Sequence, residues 1–156
     1  MPLAAQPLAD ALAQQWLVQD SGYPSSTTES AKRFAGAVAD WFNDAMAGGF
    51  LCVTAKKHRP ILMALTASAL AVGQAQPAGQ ALALAVAVYF TGQSFGSGTS
   101  LIPMAVPATA VALGRAFANL DASRKDRADQ IAGALLGLAQ STLVVFPSLL
   151  TSGTVM

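Results

Sequence analysis

The side chains that could do chemistry in this 156-residue chain are few and far apart. The one histidine, His58, lies in the basic run KKHR, where a solvated turn explains it without a catalytic role. The one cysteine, Cys52, lacks the further Cys or His ligands that a zinc site needs, and we interpret it as a small buried apolar residue. Asp40 and Asp44 have a spacing typical of the solvated face of a helix. We therefore predict no enzyme activity, no metal and no cofactor.

The stretch TGQSFGSGTS at 91–100 is the other candidate for a binding element. Its Gly-x-Gly pair has no third glycine, no lysine and no convincing strand before it, so it does not indicate a phosphate loop. We interpret residues 91–102 as an exposed loop that docks on a neighbouring subunit. The candidate contact residues in it are Gly92, Phe95, Gly96 and Gly98.

The composition indicates an apolar surface that something must cover. Apolar residues make up 53% of the chain and charged residues only 11%, against about 25% charged residues in typical soluble domains. The net charge of +1 argues against electrostatic capture of nucleic acid. A chain with so little charge to place in water is expected to bury surface against copies of itself, a partner or lipid.

The few charges are unevenly distributed along the chain. Residues 1–44 carry a net charge of −3, whereas residues 45–120 contain no acid and carry +4. Opposite patches steer association, so we predict head-to-tail docking of identical subunits. The basic candidate contact residues are Lys56, Lys57 and Arg59.

A membrane location is the main alternative. Residues 60–114 carry no charge, but their apolar runs are shorter than the about 20 residues that a span needs. The longer run at 131–150 is interrupted by polar residues at 140–142 and by Pro147. The absence of an internal disulfide favours an intracellular protein, and the first residues have no basic region typical of a signal peptide.

Six helices are predicted from apolar spacing, prolines and caps. Ser26 followed by Glu29 predicts a capping box at the second helix. ALALAVAVYF at 81–90 also fits a strand, but its alanines favour a helix. The predicted helices cover residues 2–18, from Ser26 to the AGGF stretch, Pro60 to Gly73, Pro77 to Phe90, Pro103 or Pro107 to Leu120, and Ile131 to Phe146, the last capped by Asp121 or Ser123.

Parts of the chain resemble one another. MALTASALAVG at 63–73 is similar to MAVPATAVALG at 104–114, AKRFAGAV at 31–38 to ADQIAGAL at 128–135, and AVADWF at 37–42 to AVAVYF at 85–90. We predict an all-α single domain, residues 1–156, built of three αα-hairpins near 1–50, 51–98 and 99–156. The hairpins could close in a ring or stack linearly. Small residues such as those of AGA let helices approach closely and leave no room for a ligand pocket of several hundred Å³.

These features favour a structural role. We predict a non-enzymatic subunit of a multi-copy assembly. Small, weakly charged subunits without catalytic residues are typical of virus particles, so we predict a bacteriophage virion component of the head, neck, collar or tail, assembled in the host cytoplasm. Its partners would be copies of itself and other assembly proteins, with no specific nucleic acid. One alternative is a small integral membrane protein made of helical hairpins, and another is an adaptor whose loop 91–102 grips a partner.

Overall fold

Six helices account for most of the chain. The computed structural model describes residues 2–17, 26–119, 121–147 and 151–156. The helices are α1 (Ala5–Ala11), which continues as a π-helical segment (Leu12–Trp16), α2 (Thr27–Phe42), α3 (Arg59–Leu70), α4 (Ala75–Phe90), α5 (Val106–Ala118) and α6 (Arg124–Gln140).

Two helix starts follow capping chemistry that is visible in the sequence. The Ser26 hydroxyl accepts a hydrogen bond from the Glu29 backbone N–H at 3.1 Å, which confirms the predicted start of α2. The Ser123 hydroxyl accepts in the same way from the Asp126 N–H at 3.1 Å. This confirms Ser123, one of the two predicted caps of the last helix. The helix begins at Arg124, in the charged run that precedes the apolar spacing from Ile131, and it ends at Gln140 rather than at the predicted Phe146.

The helices close into a ring. Each helix packs against the next one along the chain, and α6 packs against α1. Most of the buried helix side chains are apolar, and Thr66 and Thr109 are the polar exceptions among the described helices. Phe34, Leu82 and Ile131, one from each of α2, α4 and α6, are fully buried. The closed arrangement thus answers the question of ring or linear stack that the sequence left open.

The prediction of an all-α fold is wrong, because a pair of short strands follows each even-numbered helix. The strands are β1 (Met46–Ala47), β2 (Phe50–Leu51), β3 (Ser94–Phe95), β4 (Gly98–Ser100), β5 (Leu143–Phe146) and β6 (Thr151–Thr154). β1 and β2 form a two-stranded antiparallel sheet, and β3, β4, β5 and β6 form a four-stranded antiparallel sheet in that order. Strands of two to four residues are too short to show a period of two in the sequence.

Backbone hydrogen bonds join the two sheets at both ends. The Val53 N–H donates to the Ser94 carbonyl at 3.0 Å, next to an antiparallel bridge between Cys52 and Phe95. On the other side, Met46 and Met156 exchange two N–H···O bonds of 3.0 and 2.7 Å. The three strand pairs are therefore each bonded to both of the others, and we call this closed arrangement the strand ring.

Aromatic side chains and glycines fit together inside the strand ring. Phe146 is 2% exposed, and its side chain lies against Gly48 and Gly98 of the other two strand pairs. A Cβ atom at Gly98 would lie 2.5 Å from the Phe146 ring. Gly48 also has a positive φ of 56°, which the tight turn between β1 and β2 requires. These glycines let one phenylalanine seal the three strand pairs together.

The order helix, helix, strand pair occurs three times along the described chain. Equivalent hydrogen bonds close the three pairs, from Cys52 to Ala45, Ser100 to Gln93 and Val155 to Thr142, at 2.9–3.1 Å. The positions made equivalent by these hydrogen bonds also align AKRFAGAV with ADQIAGAL and AVADWF with AVAVYF, in agreement with the similarity seen in the sequence. It does not superpose the two longest similar stretches, because Met63 lies within α3 whereas Met104 precedes α5.

The close helix contact lies at a different glycine pair from the one that the sequence indicated. Gly36 and Gly133, the central residues of the two AGA triplets, have nothing within 4 Å of an added Cβ. Gly79 of α4 instead lies directly against the backbone of Gly114 in α5. The approach of α4 and α5 therefore depends on Gly79 and Gly114.

Candidate association surface

Exposed large apolar residues lie on one part of the molecule. Among the described residues none of them is on α1, α2 or α6, the helices that carry most of the charge. The twelve are Phe50, Leu51, Val53, Ile61, Val72, Leu84, Val88, Leu101, Ile102, Met104, Val111 and Met156. Eight of them belong to the charge-free segment 60–114, and the other four belong to the strand ring or adjoin it.

The three helices of the charge-free segment are neighbours in the helix ring. α4 packs between α3 and α5, and it exposes a stripe at Pro77, Gln80, Leu84 and Val88. Leu84 is 53% exposed and Val88 is 44% exposed. The flanking helices add exposed small or apolar residues, Ala64 and Ser68 from α3 and Ala108 and Val111 from α5. We call these eight residues the helical face; none of them is charged, and the exposed Arg115 lies one turn beyond Val111 on α5, at the edge of this face.

A second set of apolar residues surrounds the strand ring. Val53, Leu101 and Met156 occupy equivalent positions, because each donates its backbone N–H to the next strand pair. Their exposed fractions are 69%, 45% and 48%. The backbone bonds hold these three side chains in fixed positions, and nothing in the described part of the chain covers them.

The predicted basic contact residues lie at the turn before α3. Lys56, Lys57 and Arg59 are all exposed. The Lys56 ammonium lies 3.7 Å from the Asp40 carboxylate of α2, and both side chains are about two-thirds exposed, so this ion pair contributes little to stability. Lys57 and Arg59 remain at the surface beside Ile61.

The predicted docking loop is largely the strand pair β3–β4. Gly92 and Gly96 are exposed and have φ values of 78° and 61°. Phe95 is fully buried against Phe42, with ring centroids 6.2 Å apart, and Gly98 is covered by Phe146. Of the four candidate contact residues, Gly92 and Gly96 therefore lie at the surface, whereas Phe95 and Gly98 are buried beneath the strand pair.

Sequence reasoning missed the helical face. Leu84 and Val88 were part of a helix predicted from ALALAVAVYF, but that pattern does not say which of its large residues is outside. The charge-free segment 60–114 could have predicted it. A helix in this segment has only uncharged residues to expose to solvent.

Buried polar side chains hold the first two strand pairs together. The Gln93 side-chain oxygen accepts from the Thr54 hydroxyl at 2.5 Å and from the Cys52 thiol at 3.7 Å, and the amide nitrogen donates to the Tyr89 carbonyl at 2.6 Å. The Tyr89 hydroxyl donates to the Ala55 carbonyl at 2.8 Å. Burial raises the pKa of the Cys52 thiol and of the Tyr89 hydroxyl. Both groups are therefore protonated at neutral pH, and their hydrogen bonds hold the strand pairs in place.

An open cavity of about 640 Å³ lies at the end of the helix ring where α2, α4 and α6 begin and α3 and α5 end. Its walls include Trp16, Leu70 and Phe117, with Arg124 and Arg127 from the first turn of α6. The expectation of no pocket of this size is therefore wrong, because the close packing of α4 and α5 does not extend to the links. The link 18–25 itself lies outside the described residues.

No cluster of three or more histidine, cysteine or carboxylate side chains that could hold a metal ion occurs in residues 2–17, 26–119, 121–147 and 151–156. Within the same ranges, every helix is too short or too polar to cross a membrane. Comparison with family models, with curated proteins and with solved structures gave no match to this chain.

Proposed function

We propose that the protein is a non-enzymatic structural subunit that associates with copies of itself through the helical face. The observation that carries this proposal is the distribution of the exposed apolar side chains, which are absent from the described parts of α1, α2 and α6 and concentrated where the chain has no charge. We further propose that the assembly is a bacteriophage virion, of which the chain is a head, neck, collar or tail component.

A copy of the chain fits the helical face better than a lipid surface does. Surfaces that bind membranes combine apolar residues with Lys and Arg, which contact anionic headgroups. The helical face carries no Lys or Arg. Two copies of an uncharged face can approach without repulsion, and neutral groups such as the Gln80 amide and the Ser68 hydroxyl can hydrogen-bond across the contact.

The size of the helical face suits a contact between subunits. The exposed stripe of α4 runs from Pro77 to Val88, which is about 17 Å along the helix. Three helices packed side by side are about 25 Å wide, so the face offers roughly 400 Å². This is half of the about 800 Å² that each partner buries in a standard interface, which suits an assembly held by several contacts per subunit.

The test is the mass of the purified chain before and after two charges are added to the helical face. We expect the wild-type protein, purified without detergent, to form a discrete oligomer much heavier than the 15.9 kDa chain. Leu84→Lys combined with Val88→Lys should produce a folded monomer, because it buries two unpaired ammonium groups at the contact. Mass photometry and circular dichroism report the two properties separately.

The matched control is Gln130→Lys, which adds charge at an exposed position of α6. It should leave the oligomer unchanged. A wild-type protein that is monomeric at micromolar concentration, or that is recovered only with membranes, would contradict the proposal. Mass spectrometry of proteins that co-purify with the oligomer tests the virion assignment, which fails if no virion protein accompanies it.

A further inference from the structure

We infer that a second copy of the chain binds the outer side of the first strand pair, β1 with β2, through a twofold contact. The surface combines apolar residues with charges of both signs. We call it the strand-pair patch, and its six residues are Asp44, Met46, Leu51, Val53, Lys57 and Arg59. The patch is separate from the helical face, and the contact does not depend on the helical face being an interface.

The apolar residues of the patch lie on one side of the strand pair. Met46 pairs with Leu51 in the register of β1 and β2, and the Cys52 N–H donates to the Ala45 carbonyl at 2.9 Å. Side chains alternate between the two sides of a strand. Ala45 and Cys52 are buried on the inner side, so Met46, Leu51 and Val53 lie on the outer side. Leu51 and Val53 are each more than half exposed.

The fold does not require apolar residues at these positions. The hydrogen bonds that close the three strand pairs make one outer residue pair of each equivalent. The equivalent pairs are Met46 with Leu51, Ser94 with Thr99, and Leu143 with Thr154. The first strand pair is apolar on both strands, whereas the other two carry at least one hydroxyl residue. Because the backbone arrangement is the same in all three, the apolar residues of the first pair suit a contact rather than the fold.

Charged residues border the apolar part of the patch. Asp44 directly precedes the strand pair, Lys57 and Arg59 follow it in a turn, and all three are exposed. In the described part of the chain, none of the three makes a salt bridge. The turn is fixed in position, because its Ala55 carbonyl accepts a hydrogen bond from the buried Tyr89 hydroxyl at 2.8 Å. Both signs of charge are therefore available to a partner.

A second copy fits this patch better than a lipid surface does. At a membrane, the Asp44 carboxylate would face anionic headgroups and oppose binding. In a twofold contact, Asp44 of each copy can face the bases of the other, so opposite charges meet twice. The patch is smaller than the about 800 Å² that each partner buries in a standard interface, so we expect a weak contact with a dissociation constant of roughly 0.1–1 mM.

The experiment is sedimentation equilibrium of the full chain carrying Leu84→Lys and Val88→Lys, which block the helical face. We expect monomers at micromolar concentration and a monomer–dimer equilibrium with a dissociation constant of roughly 0.1–1 mM. Mass measurement of the wild-type protein in dilute solution tests the helical face alone, so the two proposals fail separately.

The apolar part of the patch is tested by adding Leu51→Thr and Val53→Thr to this chain. The dimer should weaken by at least about ten-fold, because apolar area is lost from the contact. Threonine suits the strand, since Thr99 and Thr154 occupy the positions equivalent to Leu51. Circular dichroism checks that the variant is folded.

The charges are tested by exchanging them. Asp44→Lys should weaken the dimer by about ten-fold, since it places like charges face to face. Adding Lys57→Glu to Asp44→Lys should recover part of the lost affinity, because the twofold contact sets these two positions against each other. The control Asp121→Lys makes the same change in net charge at an exposed position before α6, and it should change the dissociation constant by less than about two-fold.

Four results would overturn the inference. The first is a chain that stays monomeric at about 2 mM. The second is a dimer that the two threonine substitutions leave unchanged. The third is equal weakening by Asp44→Lys and Asp121→Lys, which would leave the basic turn to head-to-tail docking on the acids of α1 and α2. The fourth is binding to vesicles of phosphatidylcholine and phosphatidylglycerol that the threonine substitutions abolish, which would assign the patch to lipid.

Discussion

At the scale of single residues, the cysteine and tyrosine of the polar network make stability depend on pH. The Cys52 thiol is 3% exposed and the Tyr89 side chain is 1% exposed. Burial raises the pKa of Cys52 above its ordinary value of 9.0. Burial also raises the pKa of Tyr89 above 10.0, with smaller contributions from Cys52, once its thiol has ionised, and from the negative charge of Asp40. The folded chain therefore keeps both protons at pH values where the unfolded chain loses them.

We predict that the free energy of unfolding is constant below about pH 8.5 and falls as the pH rises through 9 and 10. The contribution of each group is fully present below its ordinary pKa and is lost as the pH rises above it. Urea unfolding at a series of pH values measures the fall. Cys52→Ala should make it shallower while lowering stability at every pH by the loss of packing. A fall of unchanged slope in Cys52→Ala would show that other groups cause it.

At the scale of elements, the contact of α4 with α5 depends on a missing side chain. A Cβ atom at Gly79 would collide with the backbone of Gly114 and lie 3.0 Å from the Leu113 carbonyl carbon. Backbone atoms cannot turn aside as a flexible side chain can, so the two helices would have to separate.

We predict that Gly79→Ala destabilises the fold by about 1–3 kcal/mol, in spite of the higher helix propensity of alanine. Gly133→Ala is the matched control, because Gly133 lies in α6 with nothing within 4 Å of the added Cβ. It should stabilise the fold by about 0.5–1 kcal/mol. Thermal unfolding of the two variants measures the contrast. Equal effects would mean that propensity decides at both positions.

The sequence predicted the helices much better than the strands. Helix starts carry local signals, such as Ser26 before Glu29, and the alanines of α4 correctly favoured a helix over a strand. The turn Gly48–Gly49 was interpreted as a helix cap, although two glycines between apolar residues also predict a β-hairpin. Leu143–Phe146 was assigned to the end of the last helix, although it is rich in residues that favour strands. The strand ring depends on contacts between distant segments, which local patterns do not encode.

Association through a surface stays a prediction; the structure shows only which residues are exposed. The low charge of the chain indicates exposed apolar residues, and the exposure of Lys57 and Arg59 follows from their basic run. Which apolar residues remain outside depends on α4 lying between two neighbours. That arrangement is tertiary, and it cannot be derived from the spacing of residues within one helix.

At the scale of the whole molecule, charge separates two sides. The helical face is uncharged, the turn before α3 is basic, and α1 and α2 together carry more acids than bases. Head-to-tail docking of identical subunits remains a prediction of this asymmetry. In such docking, the basic turn of one copy would approach the acidic side of the next.

We predict that Lys57→Glu combined with Arg59→Glu weakens self-association by about ten-fold at low salt, and by less at about 0.5 M salt, where screening is strong. Lys56 is retained because it pairs with Asp40. The control is Arg124→Glu with Lys125→Glu, which makes the same change in net charge at two exposed positions of α6. Light scattering across a salt series gives the dissociation constants. Equal weakening by both double variants would point to net charge alone.

The pairing of Met46 with Met156 has a consequence for the synthesis of the chain. The two residues are 110 positions apart, so β1 leaves the ribosome long before the segment that completes its hydrogen bonds. Until then the nascent chain exposes backbone N–H and C=O groups without hydrogen-bond partners next to apolar side chains, and such a state is prone to aggregation. Contacts at such separation also slow folding. Chaperone capture during translation is therefore expected to protect the first half of the molecule until the segment that contains Met156 has been synthesised.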